Sequence, residues 1–399
     1  GIKIKSIDNK WYKDYSEFSI GCNIFGYRPN EHNILLKKLR QSPPLTTLLS
    51  PEEPLLAEDL NDFLNSNKLW RFTRGGGEAL SLAVRYARSI TKSDEILVCG
   101  YHGWHDWYLA SNLSSTNNLN STFLEGLKPV GVPKFLINST YTPQTLDKIT
   151  IEKKVRDKNI KIIVIEAARY EYLDKEISQF LKKFQLEGGV IIADEVTSGF
   201  RVEKKTAVSK LEIVPDIIVL GKGLGGGWPI AAVGIDYSYK MIIEDVFASS
   251  TFWTEQNGLI AGRLTLKRLK KWDNFYERLY KNSSSVRKAL INSFNEANIN
   301  LKINSIETMI SYKFKLSEFD ERESSALFID KLTKKGYLTS TTIYPTIKHI
   351  ERENNLFEKN IKNALKEINK DIRYSQKNVR NYINSIGHLE RGFSRTQSL

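Results

Sequence analysis

Residues 191–230 read IIADEVTSGFRVEKKTAVSKLEIVPDIIVLGKGLGGGWPI, and this stretch constrains the fold more than any other. One apolar run, Val190–Ala193, delivers an acidic pair, Asp194 and Glu195. A second, Ile217–Leu220, delivers Lys222 between two glycines. Runs this short and apolar throughout suit strands buried on both faces rather than helices. The separation of 28 residues (222 − 194) leaves room for one intervening helix and strand. The pattern extends outward. Strands are expected at Trp70–Thr73, Ile96–Cys99, Ile160–Ile165 and Ile230–Gly234, and helices at Glu78–Ile90 and Ile177–Leu186. In the first helix Ala79, Ala83, Ala87 and Ile90 fall on one side. Apolar strands alternating with helices predict an α/β fold: a mostly parallel central sheet flanked by helices.

Outside this block the character changes. A helix is expected at Pro54–Leu64, and a loop rich in Ser and Asn from Gly100 through Thr122. Beyond Thr251 comes a long Lys/Arg-bearing helix from about Leu259, then a smaller α+β region. Three parts are predicted: an N-terminal segment, 1–45, that packs with the small domain; a large domain, 46–265; and a C-terminal small α+β domain, 266–399.

The chain has 399 residues and a net charge of +13, which brings nucleic-acid binding into view. The lysines are widely spread, and much of the excess lies between Lys267 and Lys377, a stretch also rich in Asn and Ile. That composition points to coding bias and a solvated surface, and no nucleic-acid-binding signature accompanies it. Two cysteines and five histidines have the spacing of neither a zinc site nor a disulfide framework. His102 and His105 are a thin metal pair, so no metal is expected. No run approaches the ~18 apolar residues of a membrane span. A cytoplasmic protein with no membrane partner is the expectation.

One carboxylate and one lysine, each at the end of a buried strand, is what a pyridoxal phosphate site needs. The lysine amine forms a Schiff base with the cofactor aldehyde, and the carboxylate pairs with the pyridinium nitrogen so that the ring can take up electrons. Taken alone, the same pattern also suits any α/β enzyme with Lys222 on a solvated loop. Two further motifs narrow the choice. Arg74-Gly75-Gly76-Gly77-Glu78 precedes a helix, where backbone N–H groups and the helix N-terminus favour an anion. Tyr101-His102-Gly103-Trp104-His105 follows the strand Ile96–Cys99.

Together these segments resemble the class III aminotransferases of fold type I, the group that includes glutamate-1-semialdehyde aminomutase. The resemblance spans roughly Asp14 to Leu266 and implies pyridoxal 5'-phosphate as cofactor. Lys222 would hold it and Asp194 would pair with its ring nitrogen. Gly76 and Gly77 would hold its phosphate; the family commonly reads Ser-Gly-Thr-Glu-Ala here, so hydroxyls are lost at Gly75 and Gly77. Tyr101 would stack on one face of the ring and Val196 would cover the other. Glu166 matches the carboxylate of a family Glu-Pro, with Ala167 in place of the proline, and would support the site. Thr251, in Ser250-Thr251-Phe252-Trp253-Thr254-Glu255, corresponds to a threonine offered to the phosphate of the neighbouring subunit, which implies a homodimer. This segment and GYHGWHDWYLA (100–110) are similar to a subgroup associated with surface-polysaccharide precursors. Arg74, Trp253 and Glu255, with Arg169 and Arg201 behind them, are candidate substrate contacts.

The implied activity is transfer of an amino group from an amino-acid donor to a keto or aldehyde acceptor, with sugar or polysaccharide precursors among the candidates. The alternatives are an intramolecular aminomutase using the same residues and, outside enzymes, a basic binding protein on an aminotransferase scaffold.

Overall fold

The computed structural model describes residues 1–27, 29–41, 43–115, 117–122, 126–202, 205–272 and 274–385. The described residues fall into two compact units, one of 1–27 with 274–385 and one of 29–272.

The second unit is built on a seven-stranded sheet. Its strands are β1 (Lys68–Thr73), β2 (Ile96–Cys99), β3 (Thr140–Tyr141), β4 (Ile162–Ile165), β5 (Val190–Glu195), β6 (Ile217–Leu220) and β7 (Ala231–Asp236). They lie in the order β1-β7-β6-β5-β4-β2-β3. From β6 to β3 every neighbour is parallel, while β7 is antiparallel to both β6 and β1. Two reversals cancel, so β1 runs the same way as the parallel set and β7 alone runs against it. The second unit is thus an α/β fold on a mostly parallel sheet, and the first unit carries two smaller three-stranded sheets of its own.

The helices of the second unit include α1 (Glu52–Leu64), α2 (Gly76–Thr91), α3 (Lys175–Leu186) and α4 (Gln256–Lys271). Helix α2 packs on the sheet through Ala79, Ala83 and Ala87, whose small side chains let it come close, with Leu80, Val84 and Tyr86 alongside. The opposing face supplies Val98, Val164, Ile192, Val219 and Val233. Each large side chain buried this way contributes on the order of 1.5–3 kcal/mol. Asp174 starts α3 by accepting from Ile177 N at 2.8 Å.

Several boundaries shift by a residue or two, and two departures from expectation matter most. Helix α2 begins at Gly76 rather than Glu78, because extended Gly75 serves as its N-cap and Gly76 and Gly77 form its first turn. The expected loop after β2 instead contains a short helix, Asp106–Leu109, and two 3-10 turns.

In the first unit Trp11–Tyr15 pairs antiparallel with Lys3–Lys5 and parallel with Tyr337–Thr339. Leu301–Ile303, Ile310–Phe314 and Thr342–Ile343 form a second small sheet. The helices Phe275–Glu296, Glu321–Lys334 and Glu351–Tyr374 close over an aromatic-rich core that includes Phe294, Tyr312, Phe314, Phe328 and Phe357. Asp320 and Glu323 form a reciprocal capping box at the start of Glu321–Lys334. Among the described residues no helix is long and apolar enough to cross a membrane.

Candidate active site

β1, β2, β4, β5 and β6 all end on one edge of the sheet, the edge where ligands bind in open α/β folds. Each reaches a predicted site residue at its end or within three positions of it: Gly76, Tyr101, Glu166, Asp194 and Lys222.

Adjacent residues of a strand point to opposite faces, and this separates the acidic pair. Asp194 is 3% exposed; its Oδ2 lies 2.8 Å from Nδ1 of His102, and its Oδ1 accepts the Val196 N–H at 3.0 Å. Since the carboxylate accepts, Nδ1 of His102 carries the proton and Nε2 is left as an acceptor. That Nε2 is buried with no hydrogen-bond partner among the described residues. Glu195 turns the other way. It accepts the Val208 N–H at 2.8 Å and the Ser198 hydroxyl, and burial pushes its carboxyl up to about 7. Asp194 faces the site, and Glu195 anchors the short helix Ala207–Lys210.

Lys222 opens a 3-10 turn, Lys222–Gly225, after extended Gly221. Its φ of +40° is in the left-handed region, where a residue with a Cβ carries strain of order 1–3 kcal/mol, a cost that clusters at functional sites. Its Nζ donates to Thr197 Oγ1 at 2.8 Å, and Thr197 is itself buried.

The first helical bond of α2 runs from Ala79 N to Gly75 O, which leaves the N–H groups of Gly76, Gly77 and Glu78 without intrahelical partners. Close approach dictates the glycines. A Cβ on Gly76 would stand 2.8 Å from Val196 Cγ1, and one on Gly77 would stand 2.7 Å from His105 Cε1. Val196 also lies 3.3 Å from the Cβ position of Gly221, so it is wedged between the glycine cup and the Lys222 turn.

Tyr101 is held by its backbone: its N–H donates to Glu166 Oε2 at 2.8 Å. Arg169 Nε donates to the same oxygen at 2.8 Å, and its guanidinium lies 5.4 Å from the centre of the Tyr101 ring. Gly100, at φ +150°, makes room for this bracket, since a Cβ there would meet the Glu166 side chain at 2.9 Å. Glu166 therefore acts on the site through Tyr101 and Arg169.

The candidate substrate contacts are placed differently. The Arg74 guanidinium donates to the carbonyls of Phe252, Trp253 (2.7 Å), Glu255 (2.6 Å) and, at 3.4 Å, Pro229. Trp253 Nε1 donates to Glu78 Oε1 at 2.7 Å, and Glu78 Oε2 accepts the Arg74 N–H at 2.9 Å. Glu255 caps α4 through the Asn257 N–H. All three take part in joining the 252–255 loop to the start of α2 and of α4. Arg169 is paired with Glu166, and Arg201 is buried at 1% exposure rather than open to a substrate. Thr251 is exposed on the stapled loop and makes no hydrogen bond to the site of its own chain among the described residues.

Sequence reasoning missed three residues here. His102 stood in a recognised motif but was weighed only as a metal ligand; its place behind Asp194 shows only in three dimensions. His105 stands in the same motif as the other half of the thin metal pair, and Thr197 carries no motif signal of its own. Among the described residues no group of three or more His, Cys, Asp or Glu could hold a metal ion. A pyridoxal phosphate fits the residues present. The N–H groups of Gly76, Gly77 and Glu78 have no intrahelical partners, a buried carboxylate sits at one strand end, and an amine follows the next.

The family model described as aminotransferase class-III matches residues 1–369. The glutamate-1-semialdehyde 2,1-aminomutase of Methanosphaera stadtmanae is 28% identical over 86% of this chain and 84% of its own length. That of Wigglesworthia glossinidia brevipalpis is 30% identical over 91% and 88%. Among solved structures, the FumI protein of Sphingopyxis sp. MTA144, in its form carrying pyridoxal phosphate, superposes with a TM-score of 0.82. It shares 20% identity, over 94% of this chain and 88% of the other.

Proposed function

The chain belongs to the class III aminotransferase family of pyridoxal-phosphate-dependent enzymes, and on that premise we propose that it transfers an amino group from an amino-acid donor to a keto or aldehyde acceptor. The observation that carries this reading is the meeting of Lys222, the Asp194–His102 pair and the glycine cup on one edge of one sheet.

When bound, the cofactor supplies an aldehyde that takes an amine and a ring that accepts the electron pair of the bond broken at the substrate carbon. The protein does the rest. The N–H groups of Gly76 and Gly77 hold the phosphate, while Val196 and Tyr101 fix the plane of the ring between them. Asp194 keeps a proton on the ring nitrogen. His102 positions Asp194 by donating from Nδ1, so the carboxylate need not reorganise during reaction. Nζ of Lys222 holds the aldehyde carbon at rest. The same amine, held by Thr197, would also be placed to move a proton at the substrate carbon.

Thr251 completes the phosphate site of a neighbouring copy in this reading, which makes the working unit a homodimer in the cytoplasm. A sugar or polysaccharide precursor as acceptor finds support only in Trp104, since Trp253 is engaged with Glu78 and Trp107 with Ser81. A second reading, an aminomutase that moves the amino group within one molecule, is supported by the names of the curated relatives.

The test is a visible-absorption titration of the protein with pyridoxal phosphate, then with glutamate and other amines. A band present in wild type, absent in Lys222→Ala and converted by a donor to the aminated cofactor supports transamination. Turnover of glutamate-1-semialdehyde with no added donor or acceptor selects the aminomutase. The absence of any band with cofactor in excess overturns both.

A further inference from the structure

The cup at the start of α2 is short of donors. Gly75 brings no side chain to the N-cap, a position where Ser, Thr, Asp or Asn would ordinarily add one, and Gly76 and Gly77 add none. A phosphate presents three terminal oxygens to three backbone N–H groups and nothing else from this strand-to-helix turn.

His105 lies against the gap. The space into which a side chain at 77 would project is filled by its ring: from the Cβ position of Gly77, Cε1 is 2.7 Å away and Nδ1 2.9 Å. Gly103, at φ +97°, folds the 103–105 turn close, so that its own Cβ position is 3.4 Å from Gly77 Cα. Trp104 stacks on the imidazole at 4.5 Å between ring centroids and limits its rotation. Nδ1 is buried and has no hydrogen-bond partner among the described residues. A buried ring nitrogen without a partner calls for one. The carboxylates that bear on the ring are Glu78 and Asp106. Glu78 is engaged by the Arg74 N–H and Trp253 Nε1.

We propose that His105 is a ligand of the cofactor phosphate, supplying through its imidazole the side-chain donor that the glycine cup lacks. This rests on the cofactor reading above and adds to it a residue outside the strand-end set. The glycine at 77 and the histidine at 105 are then one device: the first is small so that the second can reach the anion. Burial lowers the affinity of the free imidazole for a proton, and an arriving phosphate opposes that effect.

The experiment compares equilibrium binding of pyridoxal phosphate and of pyridoxal, which lacks the phosphate, to the full-length protein. His105→Phe keeps a ring against Gly77 and Trp104 but has no N–H. It is expected to weaken pyridoxal phosphate binding about 10- to 100-fold while leaving pyridoxal binding unchanged. His105→Gln, which restores an N–H donor, is expected to recover part of the loss. Equal weakening toward both ligands in His105→Phe would make the residue a packing element and overturn the proposal, as would no weakening toward either. Wild-type protein that binds neither ligand overturns the cofactor reading itself, an outcome distinct from the other two.

Discussion

Asp194 and Glu195 are near-twins in chemistry and neighbours in sequence, yet one side chain is the electrostatic partner of the site and the other a buried brace. The sequence displays the pair but not the division; a strand sends them to opposite faces, and only their partners tell the faces apart. Two substitutions separate the roles. Asp194→Ala would leave a ring-nitrogen proton and His102 without their carboxylate, at a cost of about 3–5 kcal/mol, or about two to four orders of magnitude in turnover. A turnover number near that of wild type would remove Asp194 from the site. Glu195 behaves oppositely with pH. Its folded-state carboxyl titrates at about 7 against an ordinary 4.5, so its contribution to stability is complete below 4.5 and is lost as pH rises through 7. Glu195→Gln keeps the shape without the charge. It should match wild type in denaturant melts at about pH 5 and exceed it by up to about 3 kcal/mol at about pH 8. Lys222 was legible only in company: a lysine between glycines also suits a solvated loop, and the motifs at 74–78 and 101–105 are what single it out. Its left-handed φ was not legible, because that angle depends on the turn around it.

At the scale of elements, β2 and β6 lie where the apolar runs put them, Ile96–Cys99 and Ile217–Leu220. The direction of β7 could not be read. A strand buried on both faces has the same apolar pattern whether its neighbours run with it or against it. Helix α2 starts two residues early because Gly76 and Gly77 join its first turn, a neighbouring side chain filling the space beside each. Arg74 is the clearest case of contacts a sequence hides. A guanidinium beside a phosphate cup suggests a ligand contact, but backbone carbonyls leave no trace in a sequence, and those are what it holds. Arg74→Ala should therefore release the 252–255 loop rather than abolish substrate recognition alone. The expected result is faster amide hydrogen exchange across Phe252–Gln256, with a stability loss of about 2–4 kcal/mol. Unaltered exchange there would return Arg74 to the candidate substrate contacts.

For the whole molecule the question is whether one chain makes a site. Thr251 is exposed next to the stapled loop, and complementation tests where it acts. Thr251→Ala is expected to weaken cofactor retention and Lys222→Ala to abolish turnover. If Thr251 serves a partner, hybrids of the two variants contain one intact site, with Lys222 from one chain and Thr251 from the other. Mixed and reassembled protein should then exceed the sum of its parents in activity; no gain would place Thr251 within its own subunit or outside the site.

The sheet order has a consequence in time. β1, which leads into the glycine cup, lies at the sheet edge and is bonded only to β7. A chain emerging from its N-terminus must hold residues 68–73 without a strand partner until residues 231–236 have been made. The anion cradle is thus written early and assembled late. During that wait an apolar strand lies open to wrong neighbours, and the interval is set by the speed of synthesis rather than by the stability of the finished fold.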